Sequence, residues 1–252
     1  MIHHLPHIPE RTEKPRATGL TMVMDKGLSL REAENLVDSS ADYIDFLKLG
    51  FGTALVSKKL QEKIKVYQSA GVEVYFGGTM FELFIVRGLF DEYRKLVDKY
   101  NVDLIEVSDG SMEMDHDKKC EYIRILSQER TVISEVGSKQ AGIVIPDEQW
   151  VSMMNTELEA GSFKVIAEAR EAGNTGIYKA DGSLEKHLVD SIIHNVPTDD
   201  IIWETPAKSQ QVAFVKMFGA NVNLGNIAPT EVISLETIRR GLRGDTFFHF
   251  LP

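Results

Sequence analysis

Four short apolar runs in this chain each close on a glutamate: Leu104-Ile105-Glu106, Val132-Ile133-Ser134-Glu135, Val165-Ile166-Ala167-Glu168 and Ile201-Ile202-Trp203-Glu204. The glutamates fall 29, 33 and 36 residues apart, which is the length of one strand–helix unit in a parallel α/β fold. A carboxylate at the C-terminal end of a buried strand is costly unless it is paired or bound to a metal. Four in succession point to a shared acidic mouth, and such a mouth points to an enzyme.

The same rhythm runs through the whole chain. Strands are expected at 20–24, 43–49, 72–76, 103–107, 131–136, 163–168, 201–204 and 221–224, with helical stretches between them. Ser29 with Glu32 reads as a capping box opening the first helix, the helix after the third strand is interrupted near Gly88, and Pro206 suits a helix start. Short strands alternating with helices predict a parallel sheet. Eight units over 252 residues favour closure into a single (β/α)8 TIM barrel. An open doubly wound sheet is the alternative, but no Gly-x-Gly-x-x-Gly fingerprint follows the first strand. No linker divides the chain, so 18–252 is expected to be one catalytic domain and 1–17 an irregular N-terminal arm. His3, His4 and His7 in that arm offer metal ligands, although a mobile terminal segment explains them as well.

Composition narrows the function classes. A net charge of −10 argues against nonspecific nucleic-acid binding, while local clusters of lysine and arginine can still capture anionic substrates. No run of 18 apolar residues is present, so no membrane span is expected. The N-terminus lacks the apolar core of a signal peptide. The single cysteine, Cys120, reads as a packed, inert thiol, and a cytoplasmic location fits.

In a barrel of this kind the active site lies at the C-terminal ends of the strands. Those ends carry Asp25-Lys26-Gly27, Lys48, Gly77-Gly78-Thr79, Glu106 with Ser108, Asp109 and Ser111, Glu135 with Lys139, Glu168 with Arg170, Glu204 with Lys208, and Asn223, Gly225 and Asn226. Clustered carboxylates repel one another unless cations neutralise them; Lys26, Lys48, Lys139 and Arg170 are the local candidates. An all-oxygen cluster suits magnesium, with Glu106, Glu135, Glu168 and Glu204 as candidate ligands, directly or through water. Period-two alternation puts Lys48 on the side of Phe46, and the barrel interior is the favoured side. Glycines beside strand ends let backbone amides approach an anion, though Gly77-Gly78 and Gly225 also read as simple turn residues. Arg239 and Arg240 are expected to complement the dipole of the last helix, and Trp203 to pack between barrel and helices.

Six of these words, Asp25-Lys26-Gly27, Lys48-Leu49-Gly50-Phe51-Gly52-Thr53, Gly77-Gly78-Thr79, Glu106-Val107-Ser108-Asp109-Gly110-Ser111, Glu135-Val136-Gly137-Ser138-Lys139 and Asn223-Leu224-Gly225-Asn226-Ile227, resemble the phosphosulfolactate synthase family. They occur in the family's order from about residue 18 to 244, and the chain is most similar to a Bacillus-type bacterial member. The resemblance implies a magnesium-dependent, homo-oligomeric TIM barrel, trimer or multiple, that adds sulfite to phosphoenolpyruvate and gives (2R)-phospho-3-sulfolactate. In methanogens that step opens coenzyme M biosynthesis; in spore formers the product leads to sulfolactate. The implied chemistry is attack by sulfur at C3 and protonation of C2, with Lys139 as general acid. Glu106 and Glu135 support the catalytic centre. Lys26, Lys48, Gly78, Ser108, Ser111, Arg170, Asn223, Gly225 and Asn226 are the substrate-binding candidates. Two other readings stay open: a barrel lyase or aldolase with a Schiff-base lysine at 48 or 139, and a non-catalytic, stress-related barrel.

Overall fold

The computed structural model describes residues 5–138, 145–169 and 172–252. Eight parallel strands, β1 (Thr21–Asp25), β2 (Phe46–Leu49), β3 (Glu73–Phe76), β4 (Leu104–Val107), β5 (Thr131–Val136), β6 (Lys164–Ala167), β7 (Ile201–Glu204) and β8 (Leu224–Ile227), form one sheet in the order β3-β2-β1-β8-β7-β6-β5-β4. The edge strands β3 and β4 come side by side, so the sheet curls into a nearly closed TIM barrel. No β3–β4 ladder joins them among the described residues.

Helices follow the strands: α1 (Leu30–Ser40), α2 (Leu60–Ser69), α3 (Gly78–Ile85), α4 (Phe90–Tyr100), α5 (His116–Ser127), α6 (Asp147–Glu159), α7 (Lys186–Asn195), α8 (Lys208–Phe218) and α9 (Val232–Arg239). The capping box expected at Ser29 is present, with Ser29 and Glu32 satisfying each other's backbone amides. The interruption near Gly88 separates α3 from α4, at a glycine whose φ of 68° suits a residue without a side chain. Strand alternation sorts the side chains. Trp203 faces outward, stacked on Phe218 with ring centroids 5.8 Å apart and tilted against Phe214 at 4.9 Å, whereas its neighbour Glu204 faces the mouth.

The closed end of the barrel is charged rather than apolar. Arg239 is fully buried and donates to the carbonyls of Ala220, Val222 and Leu20. It closes α9, as expected, and its guanidinium is in addition a polar plug under the strands. Burial, with Arg11 adding repulsion, pushes its pKa down to about 9. The arm also departs from the mobile-segment reading over its described part. Arg11 donates to Glu236 and to Ala220 O; Lys14 donates to Ala41 O and Ile44 O; Arg16 reaches Asp45 at 2.9 Å. His3 and His4 lie outside the described residues.

The largest difference from the expected boundaries is at β8, which begins at Leu224 rather than at Asn221. The reason is visible in Asn223. Its side chain accepts from Leu20 N and donates to Asp199 O and Ile201 O, all at the N-terminal ends of neighbouring strands. Asn223 thus belongs to the base of the barrel and is corrected from a substrate-binding position to a structural one.

Candidate active site

At the opposite end, Lys48 stands in the middle of the mouth. Its side chain comes from β2, on the interior face shared with Phe46, and its Nζ lies 3.0 Å from Glu106 Oε2 and 3.5 Å from both Glu135 Oε2 and Glu204 Oε1. Four strands thereby converge on one ammonium. Burial alone would lower the lysine pKa; Glu106 and Glu135 foremost outweigh it and hold the ammonium well above the ordinary value. All the participating side chains are nearly inaccessible, with Glu106 at 0% and Lys48 at 5% exposure.

Each carboxylate has a second anchor. Gly78 N donates to Glu106 Oε1 at 2.6 Å, and Ala169 N donates to Glu204 Oε2 at 3.0 Å. Ser108 Oγ lies 3.0 Å from Glu135 Oε1 and 2.6 Å from Glu82 Oε1. Gly78 crosses the seam between β3 and β4, and a Cβ there would sit 2.3 Å from Ser108 Cβ, so only glycine lets the start of α3 approach Glu106. Glu135, Glu168 and Glu204 each turn one oxygen to a common point, the three atoms within 4.8 Å of one another. Four carboxylates and Lys48 line the same narrow cavity, with Asn226 at its rim. Asn226 takes a left-handed backbone (φ 57°), and its buried Oδ1 has no hydrogen-bond partner among the described residues. A strained residue with an unused acceptor fits a ligand-binding position.

The other expected site residues divide. Ser108 is buried at the centre. Ser111 is exposed, and its backbone amide donates to Glu82 Oε1 at 3.3 Å. Lys26 is exposed beside the mouth. Gly225 sits in β8 opposite Glu204, and a Cβ there would meet Met22 Cε at 2.6 Å, so packing alone calls for a glycine. Asp25 turns away from the centre, accepting from Gly27 N and Leu28 N and pairing with Lys63 Nζ at 2.6 Å and Tyr67 Oη at 3.0 Å. Lys139 and Arg170 lie outside the described residues.

Three buried groups were not among the sequence candidates. Glu82, on α3, meets Ser108. Lys119, on α5, lies 2.8 Å from Asp109 Oδ1 and from Glu157 Oε1 of α6, and donates to the backbone carbonyl of Glu135 at 2.6 Å. This lysine therefore ties the end of β5 to the helices behind it. A signal was available: Lys119 falls on the face of α5 shared by Ile123 and Leu126, and Glu157 on the face of α6 shared by Trp150, Met153 and Met154. Helical spacing placed both in the core.

A family model described as (2R)-phospho-3-sulfolactate synthase (ComA) matches residues 9–245. The chain is 42% identical over 245 residues to the phosphosulfolactate synthase of Methanothermobacter thermautotrophicus, covering 94% of this chain and 95% of the relative. It is 39% identical over 244 residues to that of Bacillus subtilis, covering 96% and 97%. Among solved structures, a 3-hexulose-6-phosphate synthase superimposes with a TM-score of 0.56 at 16% identity, covering 90% of this chain and 99% of the other. An N-acetylneuraminate lyase from Fusobacterium nucleatum does so with 0.56 at 10% identity, covering 88% and 74%. These two likenesses bear on the barrel fold alone.

Proposed function

Since the chain belongs to the (2R)-phospho-3-sulfolactate synthase family, we propose that it joins sulfite to phosphoenolpyruvate with the help of magnesium at the C-terminal mouth of its barrel. The observation that carries this reading is the set of three carboxylate oxygens, from Glu135, Glu168 and Glu204, that lie within 4.8 Å of one another. Three converging carboxylate oxygens are hard donors that fit magnesium. Glu135, Glu168 and Glu204 would hold it, with Glu106 alongside. When bound, magnesium supplies Lewis-acid neutralisation of the substrate's negative charge.

The chain's own groups do the rest. Glu106 is fixed by Gly78 N and in turn fixes Lys48, whose ammonium faces the incoming anions. Asn226 offers its unused side-chain Oδ1 to a donor or to the cation. The sulfur lone pair forms the new bond to C3, the C2–C3 π electrons pass to C2, and a proton added there completes the addition, with the phosphate ester intact. Lys139 is proposed as the acid that delivers that proton, and Arg170 as a further anion binder. An ammonium held protonated by carboxylates is a poor nucleophile, which disfavours Lys48 as a Schiff-base lysine. We place the protein in the cytoplasm, because Cys120 is a free, buried thiol and no helix of the described residues is long and apolar enough to cross a membrane. Assembly into a homo-oligomer, trimer or multiple, is proposed on the family relationship, with exposed Phe247 and Phe248 as candidates for the contact.

Phosphorus NMR of the purified protein with phosphoenolpyruvate, sulfite and magnesium tests the reaction. A new phosphomonoester signal requiring all three components is the expected result. Its absence, or its persistence without sulfite, overturns the reading.

A further inference from the structure

Glu82 is buried at 4% exposure, and the chemistry derived above makes no use of it. It sits on α3 one turn after Gly78. The helix face whose first amide holds Glu106 therefore also turns a carboxylate toward the ends of β4 and β5. Glu82 Oε1 accepts from Ser108 Oγ at 2.6 Å and from Ser111 N at 3.3 Å. Its Oε2 makes no hydrogen bond among the described residues. A buried carboxylate with one oxygen unused is a net cost to the fold, so stability does not account for it.

Ser108 connects Glu82 to the centre. A hydroxyl has one hydrogen to give. Ser108 Oγ has two carboxylate oxygens within reach, Glu82 Oε1 at 2.6 Å and Glu135 Oε1 at 3.0 Å. Gly110 N donates to the same Oγ at 3.3 Å and takes up one lone pair. A hydroxyl donating to a carboxylate shortens to about 2.5–2.7 Å, which matches the Glu82 contact and not the Glu135 contact. The hydrogen therefore lies toward Glu82, and Ser108 turns a lone pair to Glu135.

We infer that Glu82 is a positioning residue for the cation site: it draws the Ser108 hydrogen away from Glu135 and leaves that carboxylate's charge available to a divalent cation held with Glu168 and Glu204. This role rests on the proposed magnesium site and adds a residue that tunes it from outside. Only the direction of the Ser108 hydrogen matters, whatever other partners Glu135 has. Groups behind a ligand carboxylate set how strongly it binds a metal, and α3 supplies one here.

Calorimetric titration of magnesium, without substrates, compares wild type, Glu82→Gln, Ser108→Ala and the double variant. Glutamine keeps the shape but not the charge that holds the hydrogen. Ser108 then turns its hydrogen to Glu135, and magnesium affinity should fall by about tenfold. In the Ser108→Ala background the same substitution should change affinity by less than about twofold, because the hydroxyl that carries the effect is gone. A loss of equal size in both backgrounds would make Glu82 a charge acting across space and overturn the inference. Glu82→Gln should melt no lower than wild type, since a buried charge is removed. A lower melting temperature with unchanged magnesium affinity would make Glu82 structural and likewise overturn it. Wild-type protein that takes up no magnesium removes the metal site and this role with it, whereas magnesium uptake indifferent to Glu82 removes the role alone.

Discussion

Lys48 Nζ and Glu106 Oε2 stand 3.0 Å apart, from strands that are not neighbours in the sheet, and both are almost fully excluded from water. Removing one partner of such a pair strands the other charge, a loss of roughly 3–5 kcal/mol in buried cases. Lys48→Met should therefore lower the stability measured by urea unfolding by an amount of that order and reduce kcat/KM at least about a hundredfold. Wild-type stability in this variant would show that the ammonium does not offset the carboxylates.

The three converging oxygens give a separable prediction. Glu135→Gln, Glu168→Gln or Glu204→Gln should each raise the magnesium concentration required for half-maximal activity, by about tenfold or more, because one of the three proposed ligand carboxylates is lost. Calorimetric titration of magnesium into the protein without substrates should report the same order. An unchanged metal requirement removes that residue from the ligand set.

Lys119 and Glu157 form a buried pair at 2.8 Å that also carries the carbonyl of Glu135. Lys119→Met alone should destabilise by about 3–5 kcal/mol, and Lys119→Met/Glu157→Leu by less than the sum of the single changes. The single variant should also lose turnover, because the end of β5 is no longer tied to α5. Full additivity in a double-mutant cycle would sever the pair.

His116 makes stability depend on pH. Burial, followed by the nearby Lys119 ammonium, lowers its pKa below the ordinary 6.5, and its Nε2 lies 2.8 Å from Thr156 Oγ1. The unfolded chain takes up a proton below about 6.5 while the folded chain resists it, so this group withdraws stability as pH falls through 6.5 toward the folded pKa and is neutral in effect above it. The melting temperature should drop between pH 7 and 5.5, and His116→Gln should flatten part of that drop. An unaltered slope in the variant would place the effect elsewhere.

Much of the mouth was readable from the chain because strand ends announce themselves. A buried strand needs an apolar run, the run stops where the barrel opens, and a charged residue at that stop has few places to be other than the rim. Lys48, Glu106, Glu135, Glu168 and Glu204 are of this kind. Asn223 misled because the eighth run, Asn221 to Leu224, is itself polar, and the true strand slides three residues onward to Leu224–Ile227. That slip turned a base residue into an apparent rim residue. Glu82, Lys119 and Glu157 sit on helices, where a charge ordinarily means solvent. Only their register against the apolar stripe betrays them. Arg239 closes the last helix as expected, but its burial was hidden for the same reason, since a basic residue there usually finds water and here finds three carbonyls.

Where β3 and β4 meet without a ladder among the described residues, the gap is spanned by Gly78 N and the Glu106 carboxylate at 2.6 Å. The same side chain that steadies Lys48 is thus a rivet in the wall of the cylinder. Anything that draws Glu106 toward or away from an incoming anion also tugs on the weakest joint of the sheet, so occupancy of the mouth and tightness of the seam should rise and fall together.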